Sequence, residues 1–146
     1  MRKADIAIRY FHYWCGKLGV DKPIEHRKDN RMDCSMMIFS SSERVVFKYH
    51  TRRIGQMKRY TLLSTIFHEI GHVLDLSPHN TYKQKVRNEY KAELFSVKCM
   101  KKYYPEEYKQ LLERYRKRNY MKYLKKDEPL YYEAFSKIKD YKETEK

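Results

Sequence analysis

The chain has few of the residues that mark disulfide-rich, fibrous or membrane proteins. Its 146 residues include three cysteines, four glycines and four prolines. Cys15, Cys34 and Cys99 are odd in number and form no Cys-x-x-Cys pair, which favours reduced thiols over a disulfide framework. No apolar run reaches about 18 residues and none follows the basic N-terminus, so the sequence indicates neither a membrane span nor a signal peptide. We therefore expect a cytoplasmic protein without membrane contact.

Positive charge is what the chain has in excess. Lys and Arg total 33 against 19 Asp and Glu, which gives a net charge of +14. A surplus of this size favours acidic proteins or polyanions as partners, so nucleic-acid contact is one hypothesis and a solvated lysine-rich surface is the alternative. With 41% hydrophobic residues, the length suits one domain over residues 1–146 with a single core.

One stretch of the chain has almost no charge but carries two histidines and a glutamate. From Thr61 to Leu74 the only ionisable side chains are His68, Glu69 and His72. In a helix, His68 and His72 lie one turn apart on the same face, so both rings can bind one ion. Glu69 lies one residue further round, where it can accept a proton from water beside the ion. The spacing predicts a zinc hydrolase site, and a buried helix whose histidines satisfy each other is the alternative.

The next predicted helix, from Thr81 to Tyr104, offers two candidates for a third ligand. Glu89 and Glu93 are four residues apart, so they share a helix face. One can bind the ion while the other accepts the N–H of a ligating histidine, and the spacing leaves open which does which. The alternative is an exposed face that pairs with neighbouring basic residues.

Two motifs together resemble the ImmA/IrrE family of zinc peptidases. They are His68-Glu69-Ile70-Gly71-His72 and Glu89-x-x-Ala92-Glu93-x-Phe95-Ser96, within a similarity that covers residues 33–100. The family's second helix reads Glu-x-x-Ala-Asn-x-Phe-Ala, so this chain differs at Glu93 and Ser96. The resemblance implies a zincin-like fold, with one Zn²⁺ bound by His68, His72 and Glu89. It further implies Glu93 as the partner of a ligating histidine, Glu69 as the general base, and a regulatory endopeptidase that cuts a repressor-like protein.

Further candidate residues lie outside the two motifs. A hydrogen-bond donor to the reaction's oxyanion is expected from Tyr82, Tyr90 or His79. The best candidate for an anion-binding patch is a basic cluster in the C-terminal part of the chain, comprising Arg114, Arg116, Lys117 and Arg118. A solvated basic face is the alternative for this cluster. Cys34 and Cys99 are expected in the core.

Two apolar runs around the turn Ser40-Ser41-Ser42-Glu43 predict an antiparallel β-hairpin. The second strand is the candidate edge to which an extended substrate adds, because nearby charges discourage self-pairing. Its residues are Val45, Val46, Phe47, Lys48 and Tyr49. An ordinary hairpin without a substrate role is the alternative.

Taken together, the patterns predict an α+β domain of zincin-like metallopeptidase architecture. An N-terminal helix from Asp5 to Leu18 precedes a small antiparallel sheet, which packs on the His-Glu-x-x-His helix and the glutamate helix. This core covers residues 5–104. A helical extension follows over residues 105–146, with a helix that bends near Asn119 or leaves it exposed, and a last helix over residues 130–141. We assign no chemistry to the extension.

The function predicted from these observations is zinc-dependent hydrolysis of a protein substrate. One rival is a non-catalytic binding protein that keeps zinc as a structural element, in which case four protein ligands are expected instead of three and a water. The other rival is a nucleic-acid-associated protease or binder that uses the basic flanks.

Overall fold

The computed structural model describes residues 2–142. Over these residues the elements are α1 (Lys3–Lys17), β1 (Ile24–Lys28), β2 (Met36–Ser40), β3 (Val45–Tyr49), α2 (Thr51–Gly55), α3 (Arg59–Leu74), α4 (Tyr82–Tyr103), α5 (Pro105–Tyr115), α6 (Arg118–Asp127), α7 (Pro129–Phe135) and a final 3₁₀ turn (Lys139–Tyr141). The predicted α+β class is confirmed. Helices α1 and α4 lie within two residues of their predicted bounds, and α3 covers the uncharged stretch from Thr61 to Leu74.

The sheet is mixed and not antiparallel as predicted, and β3 is its central strand. The strand order is β1-β3-β2, in which β1 runs parallel to β3 and β2 runs antiparallel to it. The prediction that Val45, Val46, Phe47, Lys48 and Tyr49 form an open edge is therefore wrong, because both sides of this strand are paired. The predicted hairpin is correct, but the polar strand β1 closes its second side. β2 is the edge strand next to α3.

Helices α3 and α4 form the centre of the molecule because one glycine and one serine let them approach closely. A Cβ at Gly71 would lie 3.0 Å from the Cα of Ala92, too close for any side chain without movement. The Ser96 hydroxyl donates a hydrogen bond to the carbonyl oxygen of Ser64 across the pair, at 2.7 Å. These contacts set how the histidines of α3 face the glutamates of α4.

The segment between β3 and α3 contains the short helix α2. His50 caps this helix by accepting the N–H of Arg53 at its Nδ1, at 3.2 Å. In the C-terminal part, the helical run breaks between Tyr115 and Arg118, a few residues before Asn119. The last α-helix ends at Phe135, well before the predicted end, and a 3₁₀ turn follows.

The C-terminal helices share the core of the preceding elements. Leu111, Leu124, Phe135 and Tyr141 belong to the same buried cluster as Phe67 of α3. Helix α7 packs on α4, and α5 packs on both α3 and α4. The part predicted as an extension thus covers the α3–α4 pair. Within residues 2–142, no helix combines the length and apolar character needed to cross a membrane.

Candidate metal centre

Three predicted ligands converge between α3 and α4. His68 and His72 lie on consecutive turns of α3, and their Nε2 atoms are 3.1 Å apart. Glu89 of α4 lies against both rings: one carboxylate oxygen is 2.8 Å from His68 Nε2 and the other is 3.1 Å from His72 Nε2. The buried apolar face of α3 and the close approach at Gly71 create this convergence.

The chemistry of this donor set fits a divalent cation. One nitrogen or oxygen atom from each of His68, His72 and Glu89 lies within 4.8 Å of the others. Ligands about 2.0–2.1 Å from a tetrahedral Zn²⁺ are about 3.3 Å from one another, close to the separations seen here. Two imidazoles and one carboxylate are also a ligand set that catalytic zinc uses while keeping a fourth position open. These three residues could therefore hold a metal ion.

Glu93 lies on the opposite edge of the His68 ring from Glu89. Its carboxylate is buried and one of its oxygens is 2.8 Å from His68 Nδ1. The other oxygen accepts a hydrogen bond from the Tyr141 hydroxyl. A proton on Nδ1, donated to Glu93, leaves the Nε2 lone pair facing His72 and Glu89. The geometry thus distinguishes the two glutamates, which the spacing did not.

The carboxylates control protonation at this centre. Burial alone would lower the pKa of His68, but Glu89 and Glu93 raise it well above its ordinary value. Burial opposes ionisation of Glu89, yet its hydrogen bonds with His68 and His72 lower its pKa to about 2. In the metal-free protein the two carboxylates therefore favour the protonated form of the His68 ring. A metal ion bound at Nε2 would take the place of one proton of that ring.

Glu69, the predicted general base, faces a cavity beside the ligand group. It is half-buried and lines a cavity of about 360 Å³ together with His68 and Tyr131. Burial raises the pKa of Glu69, an effect that His68 and His72 partly offset. A carboxylate with a raised pKa suits proton transfer near neutral pH.

Two residues that the sequence analysis left out of the site lie close to it. Tyr131 of α7 lines both the cavity at Glu69 and a second cavity of about 550 Å³ that is bordered by His72 and Glu89. Burial is the main cause that raises the pKa of the Tyr131 hydroxyl, and the negative charges of Glu89 and Glu69 raise it further. The prediction that Cys34 lies in the core is wrong, because the residue is exposed. Partial burial of the thiol sulfur, followed by the charge of Glu69, raises its pKa. No local pattern marks either residue, because only the tertiary fold brings them here.

The three predicted oxyanion donors have different positions. His79 lines the 550 Å³ cavity with His72 and Glu89, so it remains a candidate. Tyr82 is 54% exposed and Tyr90 packs against the core, and neither lines the cavities at the site.

The predicted anion patch lies only partly on one surface. Arg114 lines the cavity at Glu69, where its Nη1 donates a hydrogen bond to Thr61 Oγ1 at 3.1 Å. Arg116, Lys117 and Arg118 line a separate groove of about 660 Å³ next to α7. Lys117 also lines a further groove together with Arg114.

The fold and the site define an α+β protein with a three-residue group able to hold a metal ion. Compared with models of known protein families, with curated proteins and with solved structures, the chain gives no significant match. The resemblance to the ImmA/IrrE family stays a prediction that rests on the residues of the two motifs.

Proposed function

We propose that the protein is a zinc-dependent endopeptidase. The observation that carries this proposal is the position of Glu69. It follows His68 on α3 and opens onto a cavity beside the group formed by His68, His72 and Glu89. A purely structural metal site has no need of a further carboxylate that faces a cavity. The resemblance to regulatory peptidases favours a folded protein, such as a repressor, as the substrate.

Individual residues of the site have separate roles in the proposed reaction. A bound zinc ion would polarise water and stabilise the negative charge that develops on the peptide carbonyl. Glu69 accepts the proton that the attacking water loses and passes it to the departing amine, so its raised pKa suits both steps. Glu93 holds His68 in one tautomer and orientation through the bond to Nδ1.

Substrate binding is assigned to the edge strand β2 and the adjoining 550 Å³ cavity. Ile38 and Ser40 of β2 line this cavity with His72 and Asn88. Ser40 Oγ and Asn88 Oδ1 are buried atoms that have no hydrogen-bond partner within residues 2–142. The amide nitrogen of Asn88 donates to the carbonyl oxygens of Ser77 and Pro78, which fixes its oxygen as a free acceptor. An extended peptide that adds to β2 would pair with the open backbone edge of this strand, beside the cavity that these side chains line.

The experiment that tests the proposal compares wild type with Glu69→Gln. The amide keeps the shape of the side chain but removes the base, so zinc content and thermal stability should stay close to wild type. A general base contributes about 10²–10⁴ in rate, so cleavage should fall by at least the upper end of this range. Both zinc-loaded proteins are incubated with lysate from the native host, and fragments are identified by mass spectrometry. Equal fragment yields from both proteins would exclude the role of Glu69. A complete lack of fragments would favour the non-catalytic binding protein.

A second candidate function, nucleic-acid binding, is favoured by the 660 Å³ groove. This basic groove is lined by six cationic side chains and by no carboxylate of the described chain: Arg116, Lys117, Arg118, Lys122, Lys125 and Lys142. Neutralising several phosphates makes affinity fall steeply with salt. Binding of a mixed-sequence DNA that weakens strongly between 50 and 200 mM salt would support this function. No binding at low salt would remove it.

A further inference from the structure

The cavity beside Glu69 contains an arginine that the proposed mechanism does not use. We propose that this residue, Arg114, binds a carboxylate side chain of the substrate and so selects peptides with Asp or Glu near the cleaved bond. This inference rests on the proposed peptidase function and names the class of substrate that the site prefers. Arg114 shares the cavity with both His68 and Glu69.

The guanidinium of Arg114 is held in place by two neighbours. Its Nη1 donates to the hydroxyl of Thr61 at 3.1 Å, and its central carbon lies 4.6 Å from the ring centroid of Tyr120. Such contacts to a hydroxyl and an aromatic face restrict the side chain before a ligand arrives. The Arg114 side chain then loses less conformational entropy when a ligand binds, and this favours a selective subsite.

Arg114 is charged but has no ionic partner in the described part of the chain. Within residues 2–142 the arginine ion pairs involve other arginines, such as Arg59 with Glu107 at 3.0 Å. Glu113 and Glu128, on α5 and at the α6–α7 junction, are exposed, and Glu69 and Glu93, which line the same cavity, lie at the candidate metal centre. A guanidinium has five N–H donors, and a carboxylate can accept two of them side by side. A half-buried arginine without a partner is therefore suited to an acidic ligand.

The other polar groups near Arg114 do not compete for this role. The hydroxyls of Ser64 and Thr65 both donate to the carbonyl oxygen of Thr61, at 3.1 and 2.7 Å. The remaining wall includes the carboxylates of Glu93 and Glu128 and is otherwise largely aromatic, formed by Tyr115, Tyr120, Tyr123, Tyr131 and Phe135. Arg114 is thus the group in this cavity that can recognise an anion.

The helix geometry indicates where the acidic residue belongs in the substrate. Thr61, which anchors Arg114, precedes Glu69 by about two turns of α3, or about 12 Å along the helix axis. An extended peptide advances about 3.3 Å per residue, and an acidic side chain adds a few ångströms of reach. The carboxylate is therefore expected on a residue two or three positions from the scissile bond.

The test is a cleavage-site profile of a proteome-derived peptide library. Zinc-loaded wild type should enrich Asp or Glu at one position, two or three residues from the cut. Arg114→Ala should lower this enrichment at least about tenfold, since hydrogen bonds to charged groups contribute on that scale. Arg114→Gln serves as a second variant if alanine impairs folding. Arg52→Ala, at an exposed arginine on α2, is the matched control and should keep the wild-type profile. Absence of acidic enrichment in wild type, or its retention in both Arg114 variants, would overturn the proposal.

A binding measurement separates this proposal from the proposed function. Zinc-loaded Glu69→Gln protein is titrated with a fluorescein-labelled pool of short peptides that carry one central Glu, and with the same pool carrying Gln. The Glu pool should bind at least about tenfold more tightly, and adding Arg114→Ala should remove the difference. This result without cleavage of any library would support the carboxylate site and count against the peptidase. Equal affinities for the two pools would refute the carboxylate site even if the enzyme cleaves peptides.

Discussion

The division of roles between Glu89 and Glu93 yields the sharpest prediction. Glu93→Ala should weaken zinc binding, whereas Glu89→Ala should abolish most of it, because Glu89 faces Nε2 of His68 and Glu93 faces Nδ1. Loss of an outer partner of a ligating histidine typically lowers metal affinity about 10–100-fold, which corresponds to about 1.4–2.8 kcal/mol. Loss of a ligand removes a metal bond altogether.

The same substitution should also destabilise the metal-free protein. Glu93 is 4% exposed and accepts hydrogen bonds from His68 and from the Tyr141 hydroxyl. Alanine leaves both donors buried without an acceptor, and each such group costs about 1–3 kcal/mol. Tyr141→Phe removes one bond and keeps the other, so its effect on zinc affinity should stay below about tenfold.

The assay is competition for zinc against a chromophoric chelator, combined with thermal unfolding of the metal-free and zinc-loaded forms. Glu106→Ala is the control, because Glu106 is an exposed glutamate on α5 whose side chain is 80% accessible. It should bind zinc like wild type. Retention of zinc by Glu89→Ala together with loss by Glu93→Ala would show that the two glutamates have the opposite roles.

Three further predictions follow from particular contacts. Tyr131→Phe should keep zinc binding but lower kcat about 10–1000-fold if its hydroxyl donates to the oxyanion, whereas an unchanged kcat would exclude that role. Gly71→Ala should lower the free energy of unfolding by about 1–3 kcal/mol because its Cβ meets Ala92, while Gly16→Ala, with open space around it, should not destabilise in the same denaturant titration. Burial and Asp140 raise the pKa of Tyr108 to about 12, so its neutral form stabilises the fold fully below pH 10. This contribution should be lost as the pH rises towards 12, and the loss should be absent in Tyr108→Phe.

The local elements and the ligand candidates could be predicted from the sequence because they depend on spacing alone. The uncharged stretch around His68 and His72 has the helical period, and the structure forms α3 there. The capping box of Thr81 and Gln84 and the proline at residue 105 mark the ends of α4 locally. Such signals depend on residues within one or two helical turns, so they can be recognised without the rest of the fold.

The pairing of strands could not be predicted in the same way. Strand β1 is mostly exposed and polar, so its sequence carries little sign of the parallel ladder that places β3 in the centre. Parallel pairing joins segments that lie far apart in the chain, and it is decided by how the connecting elements pack. The sequence analysis therefore placed the edge of the sheet at β3, whereas the structure has β2 as the edge strand.

What the sequence by itself determined was the set of donors: two histidines one helical turn apart, a neighbouring glutamate, and two glutamates on the next long helix. Only the tertiary structure decided which glutamate faces Nε2 of His68 and which faces Nδ1, because both share one helix face and differ only in their height along the packed pair. It also decided that Arg114, Tyr131 and Tyr141 belong around the site. Their helices reach it by packing on α3 and α4, a long-range burial of apolar surface that no short pattern records.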